Sequence, residues 1–372
     1  MNSQVHKITT KQAEKILFET YTIVGKPSLL PGEIDTNFKI QIDGKDTYIL
    51  KISPENSDEH ELDFQQSIVA FLADKNTAVI APKIVLDTNH KTISTISLDA
   101  KTTLKVRLLT WIDGSVWAAV NPQLNDLRFS LGEKAGEITK ALQGFHHPKA
   151  KRIFDWDIAQ GLWTKKHLYL FKPEEKELVS YFLNTFESAQ NEYQKLRKSV
   201  VHNDANDHNI LVSEIGINPK VTAIIDFGDA VKTQIINDLA VACAYAIMDK
   251  NDPLDAALPI VKGYHTAFAL EDKELEFLYV LIAMRLVISV TKSAINKIEN
   301  PENEYLVISE KPAWDLLKKW QNISEDFAHF NFRNACRFNA HPDQEKFENW
   351  AKQHTFSLTQ LFPTIHKKEI HH

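Results

Sequence analysis

The 372 residues give room for two domains or one large two-lobed one, and 43% hydrophobic with 25% charged residues is the balance of a globular chain with a sizeable core. A net charge of −6 leaves no basic footprint for nucleic acid. The two cysteines, Cys243 and Cys336, are too few for a secreted disulfide scaffold and point to a reducing cytoplasm. Met1 to His6 lacks an apolar signal core. The richest apolar run, Phe277 to Val290, is interrupted by Arg285 and too short for a bilayer span, so no membrane segment is expected.

In chain order, Thr10 to Thr20 has helical spacing, with Ala13, Ile16 and Leu17 on one face and Thr10 as its cap. A hairpin follows: Phe38, Ile40 and Ile42 alternate with polar residues, Asp43-Gly44 makes the turn, and Tyr48 to Ile52 returns with Lys51 near its end. Upstream, Leu30 to Asn37 is where a phosphate-covering loop belongs, with Gly32 as its single glycine and Asn37 at its end. Lys51, on a strand that reads Y-I-L-K-I, is the candidate anchor for nucleotide phosphates. Such a lysine normally pairs with an acid on the next helix, here Glu59 to Ala73, capped by Ser57 or Asp58. Gln65 stands where that acid is expected, with Glu61 and Asp63 about a turn earlier, so either of these is the candidate partner.

Short strands at 84–86 and 92–98 lead to Leu104 through Gly114, an apolar strand running into a turn. It reads as a connector between lobes whose backbone could meet a purine edge, with Leu109 and Trp111 beside the nucleotide; Trp111 is equally a core residue. Beyond it the spacing turns helical at 131–146, 174–196, 236–248 and 272–297, with one β-rich insertion between and no internal repeat. The expectation is an α+β, bilobal, protein-kinase-like chain. Residues 1–109 form a small β-rich nucleotide-binding lobe and residues 110–372 a larger, mainly helical lobe for catalysis and substrate binding.

The β-rich insertion carries the chemistry. Val201-His202-Asn203-Asp204-Ala205-Asn206-Asp207-His208-Asn209 has the form H-x-D-x-x-x-x-N, and Ile225-Asp226-Phe227-Gly228-Asp229 supplies a D-F-G. A nucleotide phosphate brings several negative charges, so its site needs hard cations such as Mg²⁺ and oxygen ligands for them, which Asn209 and Asp226 provide. Asp204, on the same short loop as Asn209, would accept or orient the proton of an attacking hydroxyl, and His202 would brace the loop. A polar turn uses the same residue types, but both motifs in this order favour the site.

These segments resemble the aminoglycoside phosphotransferase and choline kinase superfamily over most of the chain. V-V-H-N-D-A-N-D-H-N-I-L-V, I-I-D-F-G-D-A and V-R-L-L-T-W-I-D-G are most similar to the hydroxylysine kinases and to the kinase-like domain fused to aminotransferases in some bacterial proteins. Phe332-Arg333-Asn334-Ala335-Cys336 resembles the R-x-A-C segment that closes that domain. The resemblance implies Asp204 as catalytic base, Asn209 and Asp226 as metal ligands, Lys51 as phosphate anchor, and Asp238 as a helix-start acid bracing the catalytic loop, a role compatible with capping. Asn203 departs from the superfamily's usual glycine.

The implied reaction moves the γ-phosphate of ATP or GTP, with Mg²⁺, to a small hydroxylated amine such as 5-hydroxylysine. Homoserine, choline-like and aminoglycoside acceptors are alternatives, as is a nucleotide-binding pseudokinase. Arg285, in an apolar helix, needs an anion, either an acceptor carboxylate or, the safer reading, an internal acid. Asp157 and Asp229 are candidates to hold a substrate ammonium and Trp156 to wall the pocket, although each taken singly is more often structural. Nothing in the chain specifies a partner protein or an oligomeric state.

Overall fold

The computed structural model describes residues 8–32, 34–74, 79–99, 102–213, 218–299 and 310–354. Helix α1 (Thr10–Tyr21) is capped by Thr9 rather than Thr10. The Thr9 hydroxyl accepts the Gln12 N–H while the Gln12 side chain accepts the Thr9 N–H, a capping box that the sequence reading places one residue late.

Strands β1 (Lys26–Leu30), β2 (Thr36–Ile42) and β3 (Lys45–Ser53) form an antiparallel meander. Asp43 and Gly44, at φ of 50° and 77°, make the left-handed two-residue turn that suits the strand twist. Helix α2 (Glu59–Asp74) opens on Asp58, whose carboxylate accepts the His60 N–H. Strands β4 (Ile84–Val85), β5 (Ser94–Ser97) and β6 (Thr103–Thr110) complete the sheet, with β6 beside β3 and both short strands on its other edge. One core fills the space between α1 and this sheet, where Leu17, Phe38, Ile40, Leu50, Val106 and Leu108 are all buried.

The chain then runs through β7 (Ser115–Val116), α3 (Asn125–Ala141) and α4 (Pro173–Tyr193) to four short strands. Of these, β8 (Lys198–Val201) pairs with β11 (Val231–Gln234), while β9 (Ile210–Val212) pairs with β10 (Val221–Ile224) and β7. Helices α5 (Ile236–Ala246), α6 (Pro253–Ala267), α7 (Asp272–Glu299), α8 (Glu310–Gln321), α9 (Glu325–Ala335) and α10 (Gln344–Gln353) follow. They build a second, larger core, which also takes in Phe64, Ile68 and Leu72 of α2. The fold is therefore α+β: a small antiparallel sheet lobe joined to a helical one.

Helix α7 spans 28 residues, longer than the apolar run read from the sequence, and by length and composition alone it could cross a bilayer. Its buried face extends all round, from Phe277 to Val290, because other helices enclose it; it is the axis of the second core. Arg333, in the R-x-A-C segment, ties α9 to the start of this axis through Asp272 and also bonds the Asn339 carbonyl.

Candidate active site

Two adjacent hairpins deliver the motif loops. Strand β8 ends at Val201, opposite Val231, and leads into the loop; β9 leaves it at Ile210, opposite Ile224. The Asn209 carbonyl accepts the Ile225 N–H at 2.9 Å, which sets the loop's last residue beside Asp226. His202 joins the two loops. Its Nδ1 accepts the Asp204 N–H at 3.2 Å, so Nε2 carries the proton and donates to the Ile225 carbonyl at 3.0 Å. Burial pushes this imidazole down to about 4, keeping it neutral, and its ring packs on Phe227. Its two nitrogens thus tie the catalytic loop to the residue before Asp226.

Asn203 is fully buried at φ 65°, a left-handed conformation that explains the usual glycine and that asparagine tolerates better than most residues. Its N–H donates to Asp238 Oδ1 at 2.9 Å. Asp238 Oδ2 accepts the Thr139 hydroxyl at 3.1 Å, and Thr139 accepts that of Tyr264 at 2.8 Å. The helix-start acid thus holds the loop from α5 and does not cap its own helix, whose N-cap is Ile235.

Asp204 is held on both carboxylate oxygens. Oδ2 accepts Asn209 Nδ2 at 2.7 Å and Asn206 Nδ2 at 3.0 Å; Oδ1 accepts Arg285 Nη2 at 3.0 Å. Burial, and then the neighbouring Asp229 carboxylate, push Asp204 well above the usual carboxylate range against the pull of Arg285 and Asn206. Arg285, reaching in from α7, also donates to the Trp156 carbonyl at 2.9 Å and the Tyr245 hydroxyl at 3.3 Å, with both aromatic rings flanking its guanidinium. Its anion is internal. Reading Arg285 as a receptor for a substrate carboxylate fails because every one of these bonds serves the protein.

Asp226, at φ 66°, accepts the Gly228 N–H on Oδ1 and Lys51 Nζ on Oδ2 at 3.0 Å. Burial alone would raise its pKa, but the Lys51 ammonium and the Gly228 bond bring it down to about 2. Lys51 faces a second carboxylate, Asp35, at 3.8 Å. The expected helix acids are elsewhere: Asp63 meets His147 at 3.2 Å, and Glu61 acts on Lys149 and Arg152. Gln65, at the helix-acid position, bonds Arg107 at 2.6 Å instead.

The loop before β2 is tight. A side chain at Gly32 would meet the Asp35 carbonyl at 2.6 Å and Asn37 Nδ2 at 2.9 Å. Asn37 lies opposite Lys51 in the β2–β3 ladder, and its buried Oδ1 has no partner among the described residues. Leu109 is buried near the end of β6, opposite Ile49. Trp111 is half-buried beneath Lys39 and donates its backbone N–H to the Thr47 carbonyl, so that donor is not open to a purine.

Asp229 belongs to this acidic centre through its effect on Asp204. Asp157 does not: it accepts the Thr233 hydroxyl, the Ala159 N–H and the Gln160 amide, and at only 3% exposed its carboxylate serves the protein. Trp156 meets Arg285 through its carbonyl and with its ring. Sequence reasoning singles out neither Asp35, Arg107, Tyr245 nor Arg152, which donates to the Gly228 and Ala230 carbonyls and so tethers the D-F-G loop. Arg107 had a signal, being a charge flanked by the apolar residues Val106, Leu108 and Leu109. A cleft of about 370 Å³ between α3, α6 and α9 contains none of these residues.

The donor set suits a small hard cation. Asn209 gives its amide N–H groups to Asp204, which turns Oδ1 into the remaining acceptor, and Asp226 is fully ionised. Among the described residues no three His, Cys, Asp or Glu side chains form a metal cage, and Mg²⁺ characteristically takes one or two protein oxygens with water and phosphate.

Residues 28–273 match the phosphotransferase enzyme family. The chain belongs to that family. Hydroxylysine kinase of Mus musculus is 30% identical over 321 residues, covering 80% of this chain and 84% of that one. Hydroxylysine kinase of Xenopus laevis is 28% identical over 353 residues, covering 88% and 93%. Among solved structures, a microcompartment-associated aminopropanol kinase superposes with a TM-score of 0.66 at 16% identity, over 84% of this chain and 98% of its own. The amicoumacin kinase hAmiN, in complex with AMP-PNP and Ca²⁺, gives 0.65 at 14% identity, over 86% and 96%. This member of the phosphotransferase family is a small-molecule kinase that acts on a hydroxyl group.

Proposed function

We propose that the protein transfers the γ-phosphate of ATP or GTP, with Mg²⁺, to the hydroxyl of a small amine, and that 5-hydroxylysine is the acceptor. Residues 1–109 would serve the nucleotide and residues 110–372 the acceptor. The observation that carries the reading is the Asp204 carboxylate, fixed by Asn209 and Arg285 beside the Lys51–Asp226 pair. The relatives named hydroxylysine kinase support the acceptor.

Asp204 takes the proton of the acceptor hydroxyl as its oxygen bonds to the γ-phosphorus and the bond to the nucleoside diphosphate breaks. Its raised pKa makes it a better base than an exposed carboxylate. Lys51 would leave Asp226 for the nucleotide phosphates, and Asn209 Oδ1 with Asp226 would hold the cation, whose charge would offset that of the phosphates. Asp229 is the carboxylate best placed to attract the acceptor's ammonium. Buried, unpaired Cys243 and Cys336 suit a cytoplasmic setting.

Nucleoside diphosphate release with ATP and with GTP, across 5-hydroxylysine, homoserine, choline-like amines and aminoglycosides, tests the reading. Turnover on 5-hydroxylysine that disappears in Asp204→Asn supports it. Turnover on another acceptor only overturns the acceptor; nucleotide binding without turnover on any of them overturns all four acceptors and leaves an acceptor outside the panel or a pseudokinase.

A further inference from the structure

Building on the kinase reading above, we propose that Asp35, held by Arg107, is the standing carboxylate partner of Lys51 and replaces the helix acid in orienting the phosphate anchor. Lys51 on β3 and Arg107 on β6 are directly opposite in the ladder. Two cations so placed repel each other, and both side chains are nearly excluded from water, so an anion must lie between them. Helix α2 does not supply it. Gln65 brings only a neutral amide, whose Oε1 accepts Arg107 Nη1.

Asp35 does supply it. Its carboxylate lies 2.6 Å from Arg107 Nη2 and 3.8 Å from Lys51 Nζ, and its side chain is 13% exposed. The other carboxylate on Lys51, Asp226, is 40% exposed and belongs to the cation site, so it is a shared partner. Arg107 is pinned in turn by Ser53 Oγ at 3.2 Å and by Gln65, which makes it the joint between sheet, helix α2 and loop. The loop that carries Asp35 is thereby drawn onto the site by an ion pair.

Arg107 and Asp35 are positioning residues, and their role is testable through nucleotide binding without any acceptor. Affinity for AMP-PNP with Mg²⁺ is measured by calorimetry on wild type, Asp35→Asn, Asp35→Glu and the double variant Asp35→Asn/Gln65→Glu, with a thermal melt of each. Asp35→Asn should bind about tenfold more weakly, a change of the size one lost ionic contact gives. The double variant, which returns an acid to α2, should recover most of that loss; a merely structural role would not be rescued from another element. Affinity in Asp35→Asn equal to wild type overturns the inference alone, as does a loss that Gln65→Glu leaves unchanged. Wild type that binds no nucleotide overturns the kinase reading and this inference together. If Asp35→Asn does not melt cooperatively, Asp35→Glu decides: retained affinity supports the charge role and a tenfold loss overturns it.

Discussion

The Asp204 carboxylate and the Arg285 guanidinium meet at 3.0 Å, joining the catalytic loop to the central helix of the second core. Arg285 is 1% exposed, and its planar fork serves Asp204, Trp156 and Tyr245 at once. A lysine keeps the charge but cannot make all three contacts. Arg285→Lys should therefore lower kcat by about tenfold to a hundredfold through a misplaced base, with little change in the acceptor KM. Steady-state kinetics decide; a rise in acceptor KM at unchanged kcat would show Arg285 binding substrate instead.

Asp204→Asn keeps the shape of the loop but removes the base. Turnover should fall by about a hundredfold to ten-thousandfold, the usual worth of a positioned general base. Nucleotide affinity should stay near wild type, because Lys51, Asn209 and Asp226 remain, while the melting temperature should fall, because the amide leaves the buried Arg285 guanidinium without its carboxylate. A variant that turns over normally would place the proton acceptor elsewhere.

Asp226→Asn tests the cation site. The Lys51 ammonium at 3.0 Å outweighs burial and favours the ionised form of Asp226, and a neutral amide there offers a much weaker ligand to Mg²⁺. The Mg²⁺ concentration for half-maximal activity should rise by at least about tenfold, roughly the cost of one lost charged ligand. Titrating Mg²⁺ at fixed nucleotide measures it, and an unmoved midpoint would remove Asp226 from the site.

Much of this centre was legible because its residues are close in sequence. The spacing from His202 to Asn209 and the D-F-G are local, and the Asp43-Gly44 hairpin fixes Lys51 through turn chemistry. What the sequence could not give is long-range partnership. Arg107 meets Asp35 and Gln65 from distant positions, and Arg285 meets Asp204 across 81 residues. Residue type alone cannot separate these pairings from substrate contacts: an internal acid is the safer reading for Arg285 and a structural role for Asp157, and only burial and bonding name the partners of each.

Asp238 makes stability depend on pH. Burial raises its pKa from 3.8 to about 6, against the hydrogen bonds from Asn203 and Thr139. The unfolded chain releases this proton near 3.8, whereas the fold keeps it to about 6. The stabilising contribution is therefore complete below 3.8 and is lost as pH rises through 6. Asp238→Asn cannot ionise and keeps an acceptor for the Asn203 N–H. Relative to the variant, wild type should lose at most about 3 kcal/mol between pH 4 and pH 7, the linkage value for a shift of this size. Urea unfolding of both proteins across that range measures it; parallel curves would mean that Asp238 titrates normally and that its burial carries no protonation cost.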